Sequence, residues 1–190
     1  MVIGLTGGIG CGKTAAAAFF AEHGFVHVDA DVIARQVLMS AACRSQLAAR
    51  WGSDCLGPDG SPNRSWIGSK VFSDPAELAF LESVTHPEVA RLRKLATADS
   101  SRSYVVEIPL LFEKNLAADF DVVVCVACSE DIRLQRLAGR GMDLPEARKR
   151  ICSQLPLAEK VKKADFVLWN DGSLEFLKAE VAKLLQWETR

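Results

Sequence analysis

No stretch of the chain approaches the roughly 18 consecutive apolar residues that a membrane-spanning helix requires. The opening run Met1-Val2-Ile3-Gly4-Leu5 carries no basic region ahead of it, so the expectation is a cytoplasmic protein with no export signal and no membrane partner. Net charge is equally scant. Lys and Arg number 23 against 24 Asp and Glu, a formal charge of -1, which provides no global attraction for nucleic acid or an anionic membrane. Any polyanion site must be local. A second cysteine pair is also missing: Cys125-Val126-Ala127-Cys128 is a CxxC, but it lies in an apolar strand-like run and nothing completes a zinc ligand set. The six cysteines read as reduced thiols rather than a disulfide framework. Internal repeats and low-complexity tracts are absent, which leaves the information in discrete motifs.

At 190 residues the chain fits one folding unit with insertions. Apolar runs over Val2–Thr6, Phe25–Asp29, Tyr104–Ile108, Asp121–Ala127 and Phe166–Trp169 are continuous rather than alternating. That pattern suits parallel strands covered on both faces. Helical stretches follow the first, fourth and fifth runs, at Lys13–Glu22, Glu130–Gly139 and Leu174–Trp187. The βα alternation predicts an α/β fold with a doubly wound, five-stranded parallel sheet, whose ligands bind at the carboxyl ends of the strands.

Residues 1–30, 102–138 and 164–190 then form a nucleotide-binding core, interrupted twice. Residues 31–101 read as a helical, acceptor-binding insertion, punctuated by Gly57-Pro58-Asp59-Gly60, Asp74-Pro75 and His86-Pro87 as turn or helix-start signals. Residues 139–163 break at Gly139-Arg140-Gly141 and then carry Arg148, Lys149, Arg150, Lys160, Lys162 and Lys163 against Asp143, Glu146 and Glu159. A basic helical hairpin of this kind reads either as a closing lid or as a solvated charged face.

The most specific signal is Gly7-Gly8-Ile9-Gly10-Cys11-Gly12-Lys13-Thr14. It satisfies GxxxxGK(S/T) between an apolar strand and an Ala-rich helix, the context of a P-loop. Backbone N–H groups must converge on phosphate oxygens, with close approaches that a Cβ obstructs. Lys13 supplies charge to the β- and γ-phosphates, and the Thr14 hydroxyl is a Mg²⁺ ligand. A dinucleotide-binding GxGxxG fails on spacing, since a count from Gly8 places its third glycine at Lys13. Cys11 is open to two readings, a reactive thiol protected by ATP or a small residue in a permissive loop.

Guanine-specific switch proteins resemble one another in an Asn-Lys-x-Asp base reader, and Asn63, Asn115 and Asn170 are followed instead by Arg, Leu and Asp. A kinase of small hydroxyl substrates needs a carboxylate near the acceptor. Asp29-Ala30-Asp31 ends the second apolar run, with Asp31 the leading candidate for a base and Asp29 the second. Either acid also suits a helix cap. Glu107 closes the third run, where it is placed to hold Mg²⁺ through water.

Gly4-Leu5-Thr6-Gly7-Gly8-Ile9-Gly10, Asp29-Ala30-Asp31 with Ile33-Ala34-Arg35, His86-Pro87, Pro109-Leu110-Leu111-Phe112-Glu113, and Lys163-Ala164-Asp165 leading to Asn170 occur in an order that resembles the dephospho-coenzyme A kinase family. The resemblance implies transfer of the ATP γ-phosphoryl group to the ribose 3′-hydroxyl of dephospho-CoA. It also implies ATP phosphates on Gly8 to Thr14, Asp31 as base, and Arg140 as a lid arginine near the transferring group. Asn170 would lie near adenine, and His86, Pro87, Leu110 and Leu111 would shape the acceptor site. Another nucleoside or nucleotide kinase and an ATP-sensing binding module are the alternatives. Cys11 stands where serine is usual in the family, Glu107 where aspartate is frequent, and Leu155 where methionine often follows the glutamine.

Overall fold

The computed structural model describes residues 1–188. Five parallel strands, β1 (Val2–Gly7), β2 (Val26–Asp29), β3 (Tyr104–Glu107), β4 (Val122–Ala127) and β5 (Phe166–Trp169), form one sheet in the order β2-β3-β1-β4-β5. The five apolar runs are these strands, with ends moved by a residue. β1 extends to Gly7, while β3 stops at Glu107 and β2 begins at Val26. The central pair is in register from Ile3↔Val122 to Gly7↔Val126, and β3 lies on the other side with Leu5 opposite Glu107. Because the chain goes outward to β2, returns to β3 and then crosses to β4, the strand order reverses at β1, the position where open α/β sheets bind ligands.

The chain divides into two compact units, one of residues 1–29 with 99–190 and one of residues 30–98. In the first, α1 (Lys13–Glu22) and α9 (Leu174–Glu188) cover one sheet face, burying Ile3, Leu5, Val105, Val124 and Val126 against Ala16, Ala17, Phe20, Leu177 and Val181. Alternation along β1 turns Gly4 to the opposite face, where Leu111 and Phe120 pack so closely that a Cβ on Gly4 would lie 2.8 Å from both. On the β4 side come α6 (Glu130–Ala138), α7 (Leu144–Cys152) and α8 (Leu157–Lys163). Two acids staple strand starts: Asp121 accepts the Val2 N–H at 2.7 Å and Asp165 the Val123 N–H at 2.7 Å.

The second unit contains α2 (Ala30–Met39), α3 (Ala41–Trp51), α4 (Arg64–Ser73) and α5 (Pro75–Ala96). Its core is Cys43, Leu47, Cys55, Ile67 and Val71, flanked by Trp51, Trp66 and Phe80. Asp74-Pro75 acts as the sequence suggests, with Asp74 accepting the Ala76 N–H at 2.8 Å and Pro75 opening α5. His86-Pro87 does not start a helix. Pro87 lies inside α5, where the ring withholds only one helical N–H and the remaining ladder carries the helix through.

Among the described residues the largest fully buried side chain is Phe20, which meets Phe25 edge-on at 5.6 Å between ring centroids. Phe20→Ala removes that ring from the α1–sheet contact and is expected to cost about 3–5 kcal/mol in urea unfolding. A loss below about 1 kcal/mol would show that the core closes over the gap.

Candidate functional site: the phosphate loop and its clamps

The Gly7–Thr14 loop links the end of β1 to the start of α1. Gly7 at φ 145° and Gly12 at φ 96° adopt backbone conformations that a side chain resists. A Cβ on Gly7 would collide with the Val126 carbonyl oxygen, and one on Gly12 with the Asn170 side-chain nitrogen. These contacts, rather than flexibility, explain the glycines. Gly12 is the N-cap of α1, so the positive end of that helix lies at the loop.

Backbone carbonyls of the loop are taken up by side chains. Lys13, 9% exposed, donates to the Gly7 and Gly8 carbonyls at 3.2 and 3.1 Å. Arg133 Nε donates to the Ile9 carbonyl at 3.2 Å, and Arg136 Nη1 to that of Gly10 at 3.4 Å. Asn170 Nδ2 donates to the Cys11 carbonyl at 2.8 Å, while Arg136 Nη2 lies 3.0 Å from the Asn170 carbonyl and 3.4 Å from its Oδ1. Asn170 is buried and its amide N–H is committed to the Cys11 carbonyl, so it clamps the phosphate loop from the end of β5. Arg133 and Arg136 were missed by sequence reasoning. Their i, i+3 spacing on α6 was the available signal, because it places both on one helix face.

Thr14 Oγ1 donates to Glu107 Oε1 at 3.0 Å. Glu107 is 7% exposed, and His27 Nε2 approaches its Oε2 to 3.3 Å without hydrogen-bonding geometry, leaving that oxygen buried and unsatisfied. Asp29 is the register partner of Glu107 on β2. A hydroxyl, a carboxylate with an open oxygen and a second acid nearby are hard oxygen donors. Among the described residues no cluster of three or more His, Cys, Asp or Glu forms a metal cage. This donor set fits a cation that retains much of its water, as Mg²⁺ does in kinase sites.

Cys11 is fully buried, its side chain packed in the core behind the loop. Its thiol is hydrogen-bonded with that of Cys128, and the Arg133 and Lys13 charges add to this; together they outweigh burial and hold Cys11 at about 6. Cys128 is raised, chiefly by the same hydrogen bond and by burial. Burial also pushes Cys125 up to about 12. All six cysteines are free thiols, and the CxxC is no paired site.

Behind the loop, Glu113 accepts the Leu155 N–H at 2.9 Å and pairs with Lys160 at 2.8 Å. Lys160 is completely buried and also donates to the Pro109 carbonyl at 2.7 Å. Burial raises the Glu113 carboxyl, but the Lys160 and backbone hydrogen bonds prevail and its value is lowered. Glu113 therefore anchors the segment that follows α7. Leu111 is fully buried in the core, whereas neighbouring Leu110 is exposed. Arg140 is exposed just beyond α6. Asp31, in the first turn of α2, and His86 and Pro87, on α5, are exposed in the second unit.

The profile of the dephospho-CoA kinase family matches residues 1–175. A dephospho-CoA kinase from Syntrophotalea carbinolica is 42% identical over 191 residues, covering 97% of this chain and 90% of the relative. A crystal structure from Thermus thermophilus superposes with a TM-score of 0.89 at 34% identity, covering 100% of this chain and 98% of that one. The dephospho-CoA kinase from Campylobacter jejuni gives a TM-score of 0.73 at 28% identity, covering 97% and 95% of the two chains.

The Cys11 environment has a pH signature. Its folded value near 6 lies below the ordinary thiol value of 9.0, so between these the unfolded chain binds more protons and stability rises with pH. The contribution is full above pH 9.0 and lost as pH falls through 6. The melting temperature is expected to climb across that window relative to Cys11→Ser; parallel curves would remove the thiolate from the loop.

Proposed function

The chain belongs to the dephospho-CoA kinase family, and from that membership we infer that it transfers the γ-phosphoryl group of ATP to the ribose 3′-hydroxyl of dephospho-CoA, giving CoA and ADP in the last step of coenzyme A synthesis. The observation that carries this is the match over nearly the whole chain, joined to a phosphate loop whose carbonyls are tied back by neighbouring side chains. With those carbonyls occupied, the loop N–H groups other than those of Ile9 and Cys11, which donate to Gln154 and to the Gly8 carbonyl, are left to converge on phosphate oxygens.

Phosphoryl transfer asks the protein mainly for alignment and charge neutralisation. Lys13, which holds the Gly7 and Gly8 carbonyls, exchanges them for the β- and γ-phosphate oxygens. Thr14 and Glu107 are the residues that would hold Mg²⁺, Glu107 through water, and the ion would supply positive charge to neutralise the charge developing on the phosphates. Asp31 orients the acceptor hydroxyl and takes its proton, with Asp29 the alternative. Arg140 supplies positive charge near the transferring group.

Residues 139–154 act as the lid that excludes water, without which ATP would be hydrolysed, and residues 155–163, fastened by Glu113 and buried Lys160, are its anchor. Residues 31–101 form the acceptor-binding insertion, in which His86 and Pro87 contribute to binding dephospho-CoA. The whole operates as one kinase unit of 190 residues. No helix among the described residues is long and apolar enough to cross a membrane.

ADP release from Mg²⁺–ATP should depend on dephospho-CoA and yield CoA stoichiometrically. A stronger response to nucleosides or nucleoside monophosphates would replace the acceptor, and tight ATP binding with no acceptor-dependent ADP would make this an ATP-sensing module. Asp31→Asn is expected to lower kcat by about 10²-fold while ATP binding persists, as when a base is removed. A near-normal kcat would pass the role to Asp29.

A further inference from the structure

Ile9 is held at both of its backbone polar groups by side chains from elsewhere in the first unit. Arg133 on α6 donates to its carbonyl at 3.2 Å, and its N–H donates to Gln154 Oε1 at 3.0 Å. Gln154 comes from the short link between α7 and α8, and neither the phosphate-loop motif nor the transfer chemistry accounts for its role.

Its position in the chain is what gives the contact meaning. Immediately after it, the Leu155 N–H is bound by Glu113, whose carboxylate pairs with fully buried Lys160. The chain is therefore fastened to the core from residue 155 onward. Immediately before it, α7 buries only Ala147 and carries exposed Arg148, Lys149 and Arg150. Gln154 thus stands at the boundary between a fixed anchor and a lightly packed basic helix. One hydrogen bond from that boundary reaches the third residue of the phosphate loop.

We propose that Gln154 is a positioning residue that couples the basic segment 139–154 to the phosphate loop, so that nucleotide occupancy and placement of the segment change together. The proposal rests on the kinase reading above for its activity readout. Phosphates settling on the loop fix Ile9, Ile9 fixes Gln154, and Gln154 sets the end of α7 from which the helix approaches the nucleotide. Without the link, nucleotide still binds the loop, but the segment closes independently and admits water.

The discriminating variants are Gln154→Ala, which removes the acceptor, and Gln154→Glu, whose carboxylate accepts the same N–H. Gln154→Ala is expected to lower CoA formation about 10-fold, the scale of one ordinary hydrogen bond. It should also raise the ratio of ADP to CoA above one, because some ATP is spent on water. Gln154→Glu should return that ratio towards one. A merely structural role would reduce the active fraction without moving the ratio. Wild-type kcat and a ratio of one in Gln154→Ala would overturn the proposal.

Hydrogen–deuterium exchange on the unmodified protein provides a readout independent of the variants and of the acceptor. A non-hydrolysable ATP analogue should slow exchange in residues 7–14 and 142–156 together. Protection of the loop alone would overturn the coupling even if both variants failed to fold. Joint protection in a protein that ignores dephospho-CoA would instead retain the coupling and reject the acceptor.

Discussion

A short piece of backbone that must turn its N–H groups towards one point governs the rest of this structure. Parallel amide dipoles repel, and the carbonyls displaced by such a turn need partners in a region with little water. Lys13, Arg133, Arg136 and Asn170 provide them, each at 2.8–3.4 Å from a loop carbonyl. Two of these residues come from α6 and one follows β5, so the strand order is itself a requirement of the loop. β4 must lie beside β1, and β5 beside β4, for α6 and Asn170 to arrive there.

The same constraint explains the glycines better than a requirement for mobility does. Gly7 cannot carry a Cβ because the Val126 carbonyl lies against it, and Gly12 cannot because Asn170 does. A crowded, hydrogen-bonded loop is preorganised, so little reorganisation remains when a phosphate arrives. Cys11 takes part through burial: its side chain enters the core between α1 and the sheet and hydrogen-bonds with Cys128, leaving its backbone to Asn170.

Much of this was legible in the chain because it rests on local pattern. Continuous valine-rich runs announced the strands, and β1, β3 and β4 are buried on both faces whereas edge strand β5 leaves Val167 and Trp169 exposed; the loop motif between strand and helix announced phosphate. What escaped depends on distant contacts. Leu111 cannot be told from Leu110 by sequence, since its burial is set by the approach of Gly4 on another strand. Asn170 resembles a turn residue until Gly12 and Arg136 are seen around it. Pro87 looks like a helix start because a proline inside a helix is costly, and only the continuous ladder of α5 overrides that preference. The Glu113–Lys160 pair joins residues 47 positions apart, beyond the reach of any periodicity.

Calorimetric titration of Mg²⁺–ATP into the native protein and Gly12→Ala tests the dependence of the site on backbone conformation most directly. The added methyl meets Asn170 and opposes the left-handed φ. Affinity should fall by about two orders of magnitude in a protein that still folds, because several charge-assisted hydrogen bonds of about 1.5–3 kcal/mol each lose their alignment. Undiminished ATP affinity in folded Gly12→Ala would contradict a phosphate site built from the conformation of this loop.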